Sequence, residues 1–185
     1  MVNQLIYRTE LASKSHKTEA VDAIVVIVMA KVIVVYESKY GNTKLVAETI
    51  IEGMSKVEGI ETVIKELKEV DLNKIADYDA ILIGSPNHFG GPTKDVKRFI
   101  DELGKLNLEG KVVAVFDTYL GKRSDYFFEK AVKKMEKRIG EKVSGLKLII
   151  PGLSIKVGGM KGPIVDDELP KCRDFGRKIA TKLET

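Results

Sequence analysis

Tryptophan is missing from the 185-residue chain, cysteine occurs once (Cys172) and histidine twice (His16 and His88). A lone thiol cannot close an internal disulfide, which suits a reducing cytoplasm. One Cys and two His cannot assemble a multi-histidine or thiolate metal site either. Aromatic residues make up only 6% of the chain and glutamine appears once, at Gln4. Charge is carried mostly by Lys and Glu instead, a balance that hints at a thermophile. No apolar run is long enough to cross a membrane. The run at residues 23–30 is interrupted by Lys31 before a second at 32–36, and the mixed charges ahead of it do not suit a signal peptide.

What is present suffices for one globular domain. The chain is 44% hydrophobic and 31% charged, so it can bury a core. Its formal charge is +4 and its pI near 9.0. Residues 122–142 hold eight basic and four acidic residues, which accounts for all of that net charge. The bases alternate with Glu129, Glu136 and Glu141, and no recognition motif accompanies them, so a nucleic-acid partner is not expected. Residues 1–28 lack clean periodicity. They are expected to be an N-terminal extension, dispensable for function and arising from an upstream start codon, with the domain spanning 29–185. The alternative is a longer first strand or an interface arm.

From Lys31 onward, β-branched runs alternate with helical periods. Strands are expected over residues 32–36, 61–66, 80–84, 112–116 and 146–150. All but 61–66 read as continuous apolar runs, as strands covered on both faces do, and 61–66 reads as an edge. Helices are expected over 42–54, over 92–103 with Pro92 in the first turn, from Ser124 through the stripe Phe128, Ala131, Val132, Met135 and Ile139, and over 166–183. Residues 71–76 suit only a short turn. Such alternation with short connections implies an α/β sandwich of three layers, a parallel sheet with helices on both faces, and five strands favour the order 2-1-3-4-5. Ligands then bind beyond the carboxyl ends of the strands, where the order reverses.

Three loops meet at that edge. The first carries Ser38, Lys39, Tyr40, Gly41, Asn42 and Thr43. Hydroxyl and amide groups, a glycine and the free N–H groups of the following helix together suit a phosphate cradle. The alternative is a turn that merely caps a helix. There is no G-x-x-x-x-G-K-[ST] and no G-x-G-x-x-G after a strand. Glu37 and Asp117 are too few carboxylates for a phospho-acceptor site. The second loop runs through Ser85, Pro86, Asn87, His88, Phe89, Gly90 and Gly91, whose backbone can hydrogen-bond a planar heterocycle with Phe89 or His88 beside it. Phe89 could equally close the core, and His88 could be a simple loop hydrogen-bonder. The third loop, with Asp117, Thr118, Tyr119 and Gly121, offers Tyr119 as a cover for the other ring face, or as a surface Tyr over the next helix. Asp117 is expected to cap local backbone.

Together these loops resemble the flavodoxin family. The first is similar to its [Ser/Thr]-x-[Thr/x]-Gly-[Asn/x]-Thr phosphate loop, with Tyr40 where a Thr is frequent. Gly84-Ser85-Pro86 with a glycine-rich tip, and Gly162-Pro163 through Cys172-Arg173-Asp174-Phe175-Gly176-Arg177, look like the flavodoxin domain of A-type flavoproteins. Tryptophan-repressor-binding-type quinone reductases carry a comparable second loop. The di-iron half of A-type flavoproteins and the Trp sandwich of many flavodoxins have no counterpart here. The resemblance implies a flavodoxin-like fold that binds FMN at these loops and carries electrons between redox partners. Gly90 or Gly91 would let a peptide rotate as the ring changes protonation. One alternative is an NAD(P)H-dependent quinone or flavin reductase, and another is a binding domain without flavin. The basic segment implies an acidic partner, such as a rubredoxin- or ferredoxin-like carrier, or is simply a solvated helix face.

Overall fold

The computed structural model describes residues 29–120 and 131–184, together with two short strands, Leu5–Ile6 and Val26–Ile27, that pair antiparallel. Gly121, Ser124 and Phe128 lie outside the described residues, as does most of 1–28. The main sheet is built from β1 (Ala30–Tyr36), β2 (Ile60–Glu66), β3 (Ala80–Pro86), β4 (Val112–Leu120), β5 (Lys147–Leu148) and β6 (Leu153–Val157). All pairings within it are parallel, in the order β2-β1-β3-β4, with β5 and β6 both on the outer edge of β4. This is the 2-1-3-4-5 order with its fifth position made in two pieces.

The apolar runs behave as two-sided strands should, because alternate side chains enter different cores. Val32, Val34, Leu82, Ala114 and Phe116 face α1 (Asn42–Met54) and α4 (Glu168–Leu183). Ile33, Val35, Ile81, Ile83, Val113 and Val115 face α2 (Lys94–Leu103) and α3 (Ala131–Lys142). Each such side chain removed from water contributes on the order of 1.5–3 kcal/mol before conformational entropy is counted. The polar β2 is an edge, paired only with β1 among the described residues. Between β2 and β3 the chain forms two 3-10 turns, Leu67–Glu69 and Leu72–Asp77, which extend the short turn expected there.

The fifth strand departs from expectation. Only Lys147–Leu148 of the apolar run pairs with β4, at its amino end, and the run then breaks before Pro151. Proline has no N–H to offer a ladder. The Gly152 N–H is diverted to Glu136 Oε1 at 2.8 Å. The strand that matters for the loops is β6, Leu-Ser-Ile-Lys-Val, which buries Ile155 and Val157 in alternation and extends the sheet along Phe116–Leu120. Strands β3 and β4 also run further than expected, so Ser85, Pro86, Asp117, Thr118 and Tyr119 are strand residues rather than loop residues. α2 starts later, capped by Thr93 Oγ1 accepting from the Val96 N–H, with Pro92 just ahead of it.

α1 and α4 cross very closely. A Cβ on Gly176 would stand 2.0 Å from the Ile50 carbonyl oxygen, and one on Gly53 2.0 Å from that of Arg173. Two glycines thus let α4 press α1 onto the sheet, and this fixes where the amino end of α1 points. Among the described residues no helix is long and apolar enough to cross a membrane.

Candidate functional site

The carboxyl ends of β1, β3 and β4 enclose a cleft of about 710 Å3. β1 leads into it at Glu37, whose N–H donates to the Gly84 carbonyl at 3.1 Å. The chain then turns at Gly41, where φ is 86°, a left-handed conformation that costs glycine little and other residues about 1–2 kcal/mol. The N-cap is Gly41, which has no side chain to cap with, so among the described residues no side chain caps the first turn of α1 and its leading N–H groups are left toward the cleft end of the helix. Thr43, 2% exposed, hydrogen-bonds Thr118 at 2.9 Å between hydroxyls and ties that turn to β4. The Ser38 hydroxyl is buried and has no partner among the described residues.

The second loop is stiffer than its glycines suggest. Asn87 N–H donates to the Thr118 carbonyl and His88 N–H to the Gly91 carbonyl, both at 2.8 Å. Ser85 lies below, fully buried, donating to the Pro86 carbonyl at 3.0 Å and accepting from the Thr93 N–H at 3.2 Å. Thr93 in turn donates through its hydroxyl to Glu37 Oε2, joining the first two loops. Phe89 does not close the core. It is 90% exposed, at φ 52°, with the His88 ring edge-on at 4.5 Å, and Gly90 follows at φ 76°. Asn87 Oδ1 is a second buried polar atom of the cleft without a partner among the described residues.

The structure gathers Ser38, Lys39, Tyr40, Asn42 and Thr43 from the first loop onto the cleft wall. From the other two come Pro86, Asn87, His88, Phe89 and Gly90, then Thr118 and Tyr119. Gly41, Ser85 and Gly91 shape the backbone without lining the cleft. Asp117, fully buried, accepts from the Val132 N–H at 2.9 Å through Oδ2, as a backbone cap would. Sequence reasoning did not assign Glu37, Thr93 and Lys94 to the site, of which the first two stand in the expected loops, nor Leu120, which stands in the third expected loop, nor Val157 and Met160. The first three flank recognised motifs and a helix start. The last three arrive through the β4–β6 pairing, where Leu120 stands opposite Val157, and no local pattern announces that. Cys172 lies in the α1–α4 core, where burial and then Glu168 push its thiol up to about 12, so it is no nucleophile at neutral pH.

The Flavodoxin family model matches residues 34–162. The chain belongs to the flavodoxin family. Among solved structures, a flavodoxin from the domain Archaea is 28% identical, with a TM-score of 0.70 over 84% of this chain and 99% of that one. Flavodoxin 2 from Bacillus cereus is 30% identical, with a TM-score of 0.69 over 83% and 99%. The rubredoxin oxygen:oxidoreductase of Desulfovibrio gigas, 19% identical, shares the fold at a TM-score of 0.66, over 83% of this chain and 37% of its own.

Flavodoxins bind flavin, typically FMN, and the residues present fit that group. An uncapped helix start and the Ser38 hydroxyl, unpaired among the described residues, offer donors of the kind a phosphate accepts, and the buried Asn87 Oδ1 offers an acceptor of the kind a heterocycle N–H needs. The cleft falls in the size range of cofactor sites.

Proposed function

We propose that this flavodoxin binds FMN in the cleft and passes electrons between redox proteins. The observation that carries the reading is the coincidence of an uncapped α1 amino end with a buried, unpaired Ser38 hydroxyl beside it. A buried donor left unsatisfied costs about 1–3 kcal/mol. A phosphate accepting from it removes that cost, aided by the helix dipole. Ser38, Thr43 and the amides around Asn42 hold the phosphate. The backbone from Asn87 to Gly90 meets the polar edge of the ring system, and Phe89 and Tyr119 provide aromatic surface. When bound, FMN supplies the redox chemistry, and the protein orients it and controls how much of it meets water.

Of the two tip glycines, Gly90 is the one suited to turn a peptide toward a ring nitrogen. The Gly91 carbonyl is already held by His88 N–H, and the Gly91–Pro92 peptide has no N–H to present. Lys39, stacked on Tyr40 at 5.3 Å, and Lys94 add positive charge to the cleft wall, where Glu37 is the one carboxylate among the described residues.

The test is an FMN titration of the purified protein followed by visible absorption and fluorescence. Stoichiometric quenching of flavin fluorescence, with a shifted visible band, is expected. Failure to take up FMN would overturn the reading. Turnover of NADH or NADPH by the loaded protein alone would instead place it with the reductases.

A further inference from the structure

Outside the cleft, a second depression of about 280 Å3 lies between α2 and α3, lined by Pro92, Lys97, Lys134, Lys137, Arg138 and Glu141. Among the described residues, four cations meet one carboxylate there. Arg138 is occupied by Asp101 through two hydrogen bonds of 2.8 and 2.5 Å, and Lys137 approaches Glu141 only at 4.0 Å. Lys97 and Lys134 have no carboxylate partner among the described residues. The depression adjoins the cleft. Lys94 on the cleft wall and Lys97 in the depression are three residues apart on α2 and share a face. The Lys134 stem lies over Gly91, 3.2 Å from where a Cβ would be. On the cleft mouth itself Phe89, Met160 and Tyr40 expose apolar surface at 90%, 74% and 40%.

We propose that the cleft mouth and the α2–α3 basic face form one docking surface for an acidic redox protein. The exposed apolar residues make the contact through which electrons pass, and Lys94, Lys97, Lys134 and Lys137 steer the partner onto it. The charge argument decides the occupant. Lysines of which three are exposed and two lack a carboxylate partner among the described residues attract an acidic surface over several ångströms but do not enclose a small anion. Such steering gives orientation and association rate more than affinity, which suits a carrier that must release its partner after each transfer. The proposal rests on the electron-carrier reading, so its test needs one readout that is independent of flavin.

The probe is an acidic rubredoxin, with basic cytochrome c as the opposite control. In NMR titrations of the full chain, rubredoxin should perturb amides of α2, α3 and the cleft mouth. That perturbation should fade as the Debye length shrinks from about 30 Å at 0.01 M salt to about 8 Å at 0.15 M. In stopped flow, the reduced FMN-loaded protein should reduce rubredoxin roughly tenfold more slowly at the higher salt. The double variant Lys97→Glu, Lys134→Gln should lose most of that low-salt advantage, keep its FMN affinity, and not slow toward cytochrome c. Salt-independent binding, or a double variant that matches the parent, overturns the docking surface. NADPH or inorganic phosphate shifting the same lysine-bearing residues also overturns it, in favour of a small-anion site. If FMN fails to bind, the carrier reading fails, and the NMR titration still decides whether the face docks acidic proteins.

Discussion

Ser38 separates a binding role from a structural one. Its hydroxyl is buried and unpaired, so in the ligand-free protein it contributes a penalty rather than a contact. Ser38→Ala should leave the urea midpoint of the flavin-free protein unchanged or higher, and weaken FMN by about tenfold, the equivalent of one hydrogen bond of about 1.4 kcal/mol. Lower stability with unchanged FMN affinity would mean that the hydroxyl serves the fold. The turn and helix start of the first loop were readable at this scale because the residue types are themselves the signal: a glycine for the left-handed turn, and hydroxyls beside a helix start. Phe89 was not readable. Whether an aromatic residue at a loop tip folds inward or stands exposed depends on a backbone at φ 52° that its own side chain does not favour.

At the scale of elements, α1–α4 packing and the α2–α3 ion pair each carry a prediction. Gly176→Ala would gain helix propensity of about 1 kcal/mol. The new Cβ, however, would fall 2.0 Å from a backbone oxygen of Ile50, which no side-chain rotation relieves. Overpacking of about 1–3 kcal/mol should prevail. The variant should therefore unfold at lower urea and bind FMN less tightly, because α1 is displaced at its crossing with α4. Asp101 is held below the ordinary carboxylate range, first by the hydrogen bonds from Arg138. A depressed folded-state pKa means that the stabilisation is present above the unfolded value, about pH 4, and is lost as pH falls through the lower folded one. Asp101→Asn should thus flatten the acid limb of the stability–pH curve below about pH 4, with little change in its slope near neutrality. Elements with one strong period were legible from their residues, as β1, β3 and the α1 and α2 stripes show. The fifth strand was not. The eye follows the apolar run at 146–150, whereas Pro151 ends the ladder and the shorter alternation of Leu153–Val157 takes over.

For the whole molecule, the flavin reading predicts a linkage. FMN at about 100 times its Kd should stabilise the native state by about 2.7 kcal/mol. In a domain of this size that is a rise of roughly 5–10 °C in Tm. Differential scanning fluorimetry across an FMN series should show the midpoint climbing with the logarithm of concentration. Riboflavin, which lacks the phosphate, should raise it much less. Equal shifts for both would remove the phosphate loop from the account.

Periodicity and residue type alone determined the elements and the two-sided core, and they marked the first loop as a candidate phosphate cradle, because each of these depends on neighbours within a few positions. The chain's third contribution to the cleft was settled only in three dimensions. Leu120, Val157 and Met160 reach it because β6 pairs with the far half of β4, a contact between segments distant in sequence. The joining of Glu37 to Thr93, and of Thr43 to Thr118, belongs to the same category. Side chains that meet across a sheet edge carry no mark of one another in the local sequence, so only their folding together could assemble the pocket.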